Sequence, residues 1–261
     1  MFLLSDIKIV REKRTILAIE QLSIPTDKLT VILGHNGSGK STLVNLLCAQ
    51  QQPDSGSVLL NGRSVASFSA KSLARELAFL PQKLPTSAGL SVRELVRLGR
   101  FPWRGALGRW RQIDEQIIDQ SMAKTGVSDF SKMLADRLSG GERQRAWVAM
   151  LLAQQTPLLI LDEPTSALDV HHQYQLMQLL AQLNRDQGCG IIVILHDLNL
   201  SLRFANHVIA LKEGAVAFAG GAELLLDEKC LSALYNTDIR LIDHPKPLDT
   251  SKINKVAIVC A

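Results

Sequence analysis

"KLTVILGHNGSGKSTLVNLLCAQ", residues 28–50, reads as a short apolar strand, a glycine-rich turn and then a helix with leucines along one side. Within it, "GHNGSGKS", from Gly34 to Ser41, has the glycine, lysine and serine spacing of a phosphate-binding loop. A strand before the loop and a helix after it are the setting in which such a loop functions. The stretch therefore predicts an α/β fold that binds nucleotide phosphates.

Each residue type in this loop has a physical task. Glycines let the backbone wrap closely around a phosphate chain with its N–H groups pointing inward, and the following helix adds the positive end of its dipole. Lys40 supplies a compact charge for the β and γ phosphates, and Ser41 places a hydroxyl where a Mg²⁺ ion that bridges those phosphates can use it. Because kinases, GTPases and motors share such loops, other parts of the chain must narrow the choice.

A second chemical signal lies in "PLLILDEPTSALD", residues 157–169. Four apolar residues form a buried strand that ends in Asp162 and Glu163, at the edge where α/β sheets place their chemistry. Because neighbouring residues of a strand point in opposite directions, the two acids can serve different tasks. Asp162 suits holding Mg²⁺, directly or from behind its direct ligands, and Glu163 suits a general base for a water aligned on the γ-phosphate.

A third signal is "LSGGERQRAWVAMLLAQ", residues 138–154. Ser139, followed three residues later by Glu142, predicts a capping box at the start of a helix. Gly140 and Gly141 inside this cap leave backbone N–H groups open to an anion. A chain with one phosphate loop has no evident need for a second anion site. This segment is therefore either an ordinary helix start or a cradle for a nucleotide held by another copy of the protein.

Composition sets the limits of the interpretation. A chain of 261 residues with 46% apolar content can bury the core of one or two domains. No apolar run approaches the roughly 18 residues of a spanning helix, and the first residues lack the pattern of a signal peptide, so we expect a cytosolic protein. The four cysteines are widely spaced and predict reduced thiols. A net charge of +4 permits a phosphate-rich partner without requiring one.

These motifs together resemble the ATP-binding subunit of an ABC transporter. The matching segments, in family order, are "GHNGSGKST", "AFLPQ" ending in Gln82, "LSGGERQR", "LLILDEP", "SALD" and "VILHD" carrying His196. The resemblance covers most of the chain. It implies an α/β P-loop NTPase with a mixed, mostly parallel sheet core and an inserted α-helical lobe.

The resemblance also assigns ATP and Mg²⁺ to residues of this chain. Ser41, Gln82 and Asp162 would attend Mg²⁺, with Gln82 also sensing the attacking water. Glu163 would polarise that water, and His196 would contact the γ-phosphate. The phosphates of ATP would lie on the loop residues Gly34, His35, Asn36, Gly37, Ser38, Gly39, Lys40, Ser41 and Thr42.

For partners, the resemblance implies a head-to-tail homodimer with two ATP molecules at its interface. Each ATP would lie between the phosphate loop of one copy and Ser139, Gly140 and Gly141 of the other, with Asp169 at the dimer seam. Two integral membrane permease subunits and, indirectly, a substrate-binding protein would complete the transporter. The subunit would then be peripheral on the cytoplasmic face of the bacterial inner membrane, with no nucleic acid as partner.

The predicted organisation is a single ABC ATP-binding domain with two lobes. Residues from 1 to about 82 and from about 155 to 240 form the nucleotide-binding lobe, and residues 83–154 form the helical lobe. The segment 208–211 and the "AVAFAG" that follows predict a hairpin. The tail, residues 241–261, predicts a loosely attached strand.

The transported ligand is suggested by "VRELVRLGRFPWRGALGRW", residues 92–110. This segment resembles importers of ferric siderophores, especially ferric hydroxamates, and their relatives for cobalamin and haem. We therefore expect ferric siderophore import, with cobalamin, haem or another metal chelate as the alternative. Family members commonly stack an aromatic side chain on adenine. Here Arg11 lies near that position, and we predict that its planar guanidinium stacks on adenine instead.

A function of another class is an ABC ATPase that acts on nucleic acid. Arginines interleaved with aromatic residues over 97–111 could grip a single strand by charge and stacking. Such proteins usually carry tandem ATP domains or long coiled coils. This chain has no sustained heptad pattern and a small net charge, so the transporter is favoured.

Overall fold

A computed structural model describes residues 1–87, 89–104, 108–246 and 253–260. Residues 105–107 of the segment 92–110, and residues 247–252 and 261 of the predicted tail strand, lie outside this set. Over the described residues the chain forms twelve strands: β1 Phe2–Arg11, β2 Arg14–Ile24, β3 Leu29–Leu33, β4 Ser55–Leu60, β5 Arg63–Ser64, β6 Leu77–Leu80, β7 Leu158–Leu161, β8 Gly190–Ile194, β9 His207–Lys212, β10 Ala215–Gly221, β11 Ile239–Asp243 and β12 Lys255–Val259.

Nine α-helices connect these strands over the same described residues. The helices are α1 Lys40–Leu47, α2 Ala70–Glu76, α3 Val92–Leu98, α4 Phe101–Arg104, α5 Gln112–Lys124, α6 Gly140–Gln154, α7 Val170–Gln187, α8 Leu198–Phe204 and α9 Glu228–Tyr235. Within the described part of the chain, no helix is both long enough and apolar enough to cross a membrane.

The chain divides into two compact units. The phosphate-loop unit comprises Met1–Ser67 and Gly190–Ala261, and the carboxylate unit comprises Phe68–Cys189. The carboxylate unit contains the predicted helical lobe together with β6 and β7, because these two strands pair with each other and α6 packs on β6. The lobe boundaries near residues 82 and 155 stay a prediction.

The phosphate-loop unit is built on the strand order β10-β9-β3-β8. Strand β3 runs parallel to both β8 and β9, and β10 is antiparallel to β9, which confirms the predicted hairpin. All residues of β3 and β8 are buried, as expected for parallel strands covered on both faces. A separate antiparallel sheet has the order β2-β1-β4-β5. The α/β class with a mostly parallel sheet is therefore confirmed.

The carboxylate unit places the parallel strands β6 and β7 beside a cluster of helices. Strand β7 is completely buried, and α3, α5 and α6 pack on one another. The sequence pattern predicts that Ile113, Ile117 and Ile118 lie on one side of a helix. In α5, Ile117 and Ile118 are buried, but the prediction for Ile113 is wrong. Ile113 is 48% exposed, and Asp114 takes the inward position because Arg100 binds its carboxylate inside the unit.

The end of the chain forms a small hairpin in the phosphate-loop unit. Strand β12 pairs antiparallel with β11, so the strand predicted in the tail is confirmed for residues 255–259. The side chain of Asn199, in α8, accepts a hydrogen bond from the Ala257 N–H at 2.8 Å. This bond attaches the hairpin to the helix that follows His196.

Candidate functional site

The phosphate loop connects β3 to α1, and glycines fix its path. Gly34, Gly37 and Gly39 have φ values of +143°, +79° and +100°, which side chains rarely allow. A Cβ atom on Gly34 would lie 2.2 Å from the carbonyl oxygen of Leu211 and 2.6 Å from Ser38 Oγ. The loop therefore passes β9 at a distance that only glycine permits.

Lys40 lies over this loop. Its ammonium donates hydrogen bonds to the carbonyl oxygens of Gly34 at 2.8 Å and His35 at 2.9 Å. The same His35 oxygen accepts the Ser38 N–H at 3.1 Å. The lysine is buried, so its charge is concentrated at the loop rather than in solvent.

The remaining loop residues differ in their exposure to solvent. His35, Asn36 and Gly37 are exposed at the tip, whereas Ser41 and Thr42 are half-buried in the first turn of α1. Helix α1 begins after Gly39 without a side-chain cap, so its first N–H groups face the loop.

Ser38 gives a direct test of whether the loop suits a phosphate. Its hydroxyl oxygen is buried and has no hydrogen-bond partner among the described residues. A phosphate oxygen would supply that partner, since a hydroxyl can donate to it. The loop's geometry and this unsatisfied hydroxyl therefore fit a bound phosphate chain.

His196 lies at the same edge of the sheet as the phosphate loop. It follows β8, the parallel neighbour of β3, and the Leu195 N–H donates to the Ile32 carbonyl at 3.3 Å. The next residue, Asp197, caps α8 by accepting the N–H groups of Asn199 and Leu200. His196 is thus presented in solvent at the carboxyl end of a fixed strand, as its predicted role requires.

The carboxylate unit brings three predicted residues together at the ends of β6 and β7. The Asp162 N–H donates to the Leu80 carbonyl at 2.9 Å, which aligns the two strand ends. Asp162 is buried, whereas Glu163 is half-exposed and accepts a 2.6 Å hydrogen bond from the Gln82 amide nitrogen. Gln82 therefore orients the carboxylate that was predicted to act as the base.

The donor set also fits a magnesium ion chemically. Ser41 offers a hydroxyl, Asp162 a carboxylate and Gln82 an amide oxygen, since its amide nitrogen is used by Glu163. Oxygen ligands of this kind are the ones that Mg²⁺ prefers. No nitrogen or sulfur ligand is needed for the assignment.

The predicted capping box at the start of α6 is confirmed. Ser139 accepts the Glu142 N–H, and the Glu142 carboxylate accepts the Ser139 N–H at 2.8 Å. Hydrogen bonds to the Glu142 carboxylate from the Ser139 side chain, the larger effect, and from the Ser139 backbone N–H lower the pKa of Glu142. Ser139 and Gly140 are exposed, and a Cβ on Gly140 would meet only Ala167, at 3.9 Å. The helix start is therefore open to solvent and accessible to a partner.

A polar recess of about 380 Å³ lies within the carboxylate unit between Gln82 and the start of α6. Its walls include Lys83, Asp136, Gly140 and Arg143. The recess thus extends from Gln82, which orients Glu163, to the first turn of α6.

Asp169 begins α7. Its carboxylate accepts the backbone N–H of His172 at 2.9 Å and lies 2.8 Å from His172 Nδ1. The backbone hydrogen bond, followed by the imidazole, lowers the pKa of Asp169. Asp169 and His172 thus form a polar helix start rather than a buried contact. Its predicted place at a dimer seam stays a prediction.

Sequence reasoning missed a buried ion cluster around Asp114. Arg100 Nε lies 3.1 Å and Arg104 Nε 3.8 Å from this carboxylate, and Arg104 also stacks on Trp110 at 3.6 Å. Trp103 donates its indole N–H to a backbone carbonyl at the end of α6. The arginines and tryptophans of the segment 92–110 therefore hold the helices together. The segment by itself carries no signal of this, because its acidic partners Asp114 and Glu115 lie outside it.

Arg11 lies at the end of β1, where an adenine-stacking residue was predicted. Its guanidinium donates to the Val10 carbonyl at 2.7 Å and lies 3.4 Å from a carboxylate oxygen of Asp54. The side chain is half-exposed, and its role toward adenine stays a prediction.

Comparison with known proteins places this geometry in a family. The family model described as "ABC transporter" matches residues 18–166. The achromobactin transport ATP-binding protein of Dickeya dadantii is 42% identical over 89% of this chain and 86% of its own length. The iron(3+)-hydroxamate import ATP-binding protein of Bacillus subtilis is 40% identical over 89% and 87% of the two chains.

Solved structures agree. A metal-chelate type ABC transporter in an inward-facing conformation matches with a TM-score of 0.82 at 22% identity, covering 100% of this chain and 97% of the other, which supports the fold alone. A dimeric ATP-binding cassette in a post-hydrolysis state, bound to ADP and Pi, matches with a TM-score of 0.76 at 28% identity, covering 85% and 99%.

Proposed function

Because the chain belongs to the ABC transporter family and is an ATP-hydrolysing cassette of it, we propose that it powers the import of a ferric siderophore. One observation carries this proposal: identities of 40–42%, over 86–89% of the chain, to ATP-binding proteins named for achromobactin, iron(3+)-hydroxamate and ferric enterobactin transport. Haem import is the second candidate, since the hemin import relative of Streptomyces coelicolor is 37% identical. Cobalamin and other metal chelates remain alternatives.

ATP binds through the phosphate loop. Its phosphates bind the Lys40 ammonium, which the carbonyl oxygens of Gly34 and His35 hold over the loop, and they give Ser38 its missing hydrogen-bond partner. The uncapped start of α1 adds N–H groups and the positive end of the helix dipole.

Hydrolysis uses the side chains that follow β6 and β7 in the carboxylate unit. Glu163 accepts a proton from the attacking water. Gln82 keeps the Glu163 carboxylate oriented for that transfer. Ser41, Gln82 and Asp162 would hold Mg²⁺, which when bound neutralises charge on the phosphates. His196 donates to the γ-phosphate from its strand end. These roles account for every polar residue predicted at the two strand edges.

Two copies assemble head to tail and hold two ATP molecules between them. The exposed start of α6, with Ser139, Gly140 and Gly141, meets the phosphates bound by the partner's loop. This role explains the second anion site, which a single copy has no use for. ATP binding closes the dimer, and hydrolysis reopens it.

The dimer drives two integral membrane permease subunits, and these subunits receive the ligand from a substrate-binding protein. It is peripheral, on the cytoplasmic face of the bacterial inner membrane. A nucleic-acid partner is disfavoured because arginines of the basic segment are engaged by acidic side chains of the same unit. Arg97 pairs with Glu115 at 3.0 Å, and Arg100 pairs with the buried Asp114.

Uptake by cells that lack this protein tests the proposal. We expect radiolabelled ferric siderophore uptake to be restored by the wild-type chain and not by Lys40→Ala, because that variant loses the charge that binds the phosphates. Uptake of labelled haem and cobalamin is measured in parallel. Restoration of haem or cobalamin uptake instead of siderophore uptake would assign the chain to the corresponding alternative, and no effect on any of the three would contradict the proposal.

A further inference from the structure

The side chain of Tyr235, the last residue of α9, lies against the phosphate loop. Its ring meets the imidazole of His35 edge to face, with centroids 5.4 Å apart and 65° between the planes. Tyr235 lies outside residues 18–166, the part matched by the family model. We propose that Tyr235 is a positioning residue that holds the phosphate loop in the conformation that binds ATP.

His35 is the point through which Tyr235 reaches the ATP-binding groups. The His35 carbonyl oxygen accepts both the Lys40 ammonium, at 2.9 Å, and the Ser38 N–H, at 3.1 Å. Because the imidazole and this carbonyl belong to one residue at an exposed loop tip, a contact that restrains the ring also restrains the carbonyl. Tyr235 thereby fixes the position from which Lys40 is presented.

The phenol of Tyr235 is buried rather than exposed to solvent. Its oxygen is buried and makes no hydrogen bond of good geometry among the described residues, although the Gly34 N–H lies nearby. Burial raises the pKa of Tyr235 to about 12, against the opposing effect of the nearby Gly34 N–H. The phenol therefore stays neutral at physiological pH. Because its hydroxyl is unsatisfied, the packing of the ring carries the contact.

Helix α9 is anchored to the same strand that backs the loop. Lys212, in β9, donates to the Ala233 carbonyl at 2.5 Å and to the Asn236 side chain at 3.0 Å, which fixes the end of α9. The preceding residue, Leu211, is the one whose carbonyl oxygen excludes a side chain at Gly34. Strand β9 thus supports the loop directly through Leu211 and indirectly through α9 and its terminal tyrosine.

Steady-state ATP hydrolysis by Tyr235→Ala and Tyr235→Phe tests the proposal. We expect Tyr235→Ala to raise KM for ATP about threefold to tenfold, the size of one aromatic edge contact, while kcat changes less than about twofold. Tyr235→Phe keeps the ring and should retain the wild-type KM. Leu234→Ala is the matched control, because it removes a buried side chain from α9 and should lower Tm without changing KM.

A double-mutant cycle with His35→Ala tests whether Tyr235 acts on the loop through the His35 ring. If the ring contact carries the effect, the KM of His35→Ala with Tyr235→Ala should not exceed that of the worse single variant. Additive effects, an unchanged KM in Tyr235→Ala, or a Tyr235→Phe variant as impaired as Tyr235→Ala would each overturn the proposal. Should Tyr235→Ala fail to fold, Tyr235→Leu replaces it in the cycle, with the same outcomes deciding.

Discussion

At the scale of single residues, the site depends on backbone conformations that most side chains avoid. Gly34 has a φ of +143°, and Glu163 adopts a left-handed φ of +50° although it is not glycine. Such a conformation costs a non-glycine residue about 1 kcal/mol or more. At Glu163 it is held by Ser166, whose N–H and hydroxyl both donate to the Glu163 carbonyl, and by Gln82 at the carboxylate. The strain therefore serves to aim the carboxylate.

Gly34→Ala and Gly62→Ala form a matched pair that tests the close approach of the phosphate loop to β9. Both glycines have a positive φ, but an added Cβ at Gly62 meets nothing within 4 Å, whereas at Gly34 it strikes the Leu211 carbonyl. We expect Gly62→Ala to lower the free energy of unfolding by about 1 kcal/mol and Gly34→Ala by about 3 kcal/mol or more, with loss of ATP binding. Urea unfolding and nucleotide titration measure both. Equal losses in the two variants would refute the steric explanation.

At the scale of elements, two helices of the carboxylate unit begin with the same device. Ser139 and Glu142 cap α6, and Ser91 and Glu94 cap α3, each by reciprocal hydrogen bonds. The spacing of serine and glutamate is readable from the sequence in both cases. What distinguishes α6 is the pair of glycines after the cap, which leaves the first two positions of the helix without side chains.

Ser139→Arg and Ser91→Arg therefore separate capping from function. Each variant loses one helix cap, at a cost of about 1 kcal/mol in unfolding free energy. Only Ser139→Arg places bulk and charge in the proposed cradle, so only this variant should lose ATP hydrolysis and the ATP-dependent dimer. Phosphate release and size-exclusion chromatography with ATP report the two properties. Normal hydrolysis by Ser139→Arg would contradict the head-to-tail dimer.

Elements with local patterns were predictable, and those fixed by distant partners were not. The phosphate loop, the apolar strand before Asp162 and the cap at Ser139 each depend on neighbours in sequence. The inward turn of Asp114 depends on arginines at other positions, and the place of Tyr235 depends on how α9 meets a loop about two hundred residues earlier in the chain. Neither contact leaves a periodic signal.

At the scale of the whole molecule, the motifs divide between the two units. The phosphate loop belongs to the phosphate-loop unit, and so does His196. Gln82, Asp162 and Glu163 belong to the carboxylate unit. Motif order along the chain predicted this chemistry. It did not predict the unit boundaries, which depend on the pairing of β6 with β7 across most of the helical segment. Binding and hydrolysis should therefore be separable by substitution.

The rate of phosphate release by Glu163→Gln at saturating ATP tests this account most directly. The substitution keeps the size of the side chain and removes the carboxylate that accepts the proton, while every residue of the phosphate loop is unchanged. We predict a rate lower by a factor of about 10² or more, with ATP affinity retained. Phosphate release at the wild-type rate would contradict the assignment of Glu163 as the base, and with it the proposed mechanism of ATP hydrolysis.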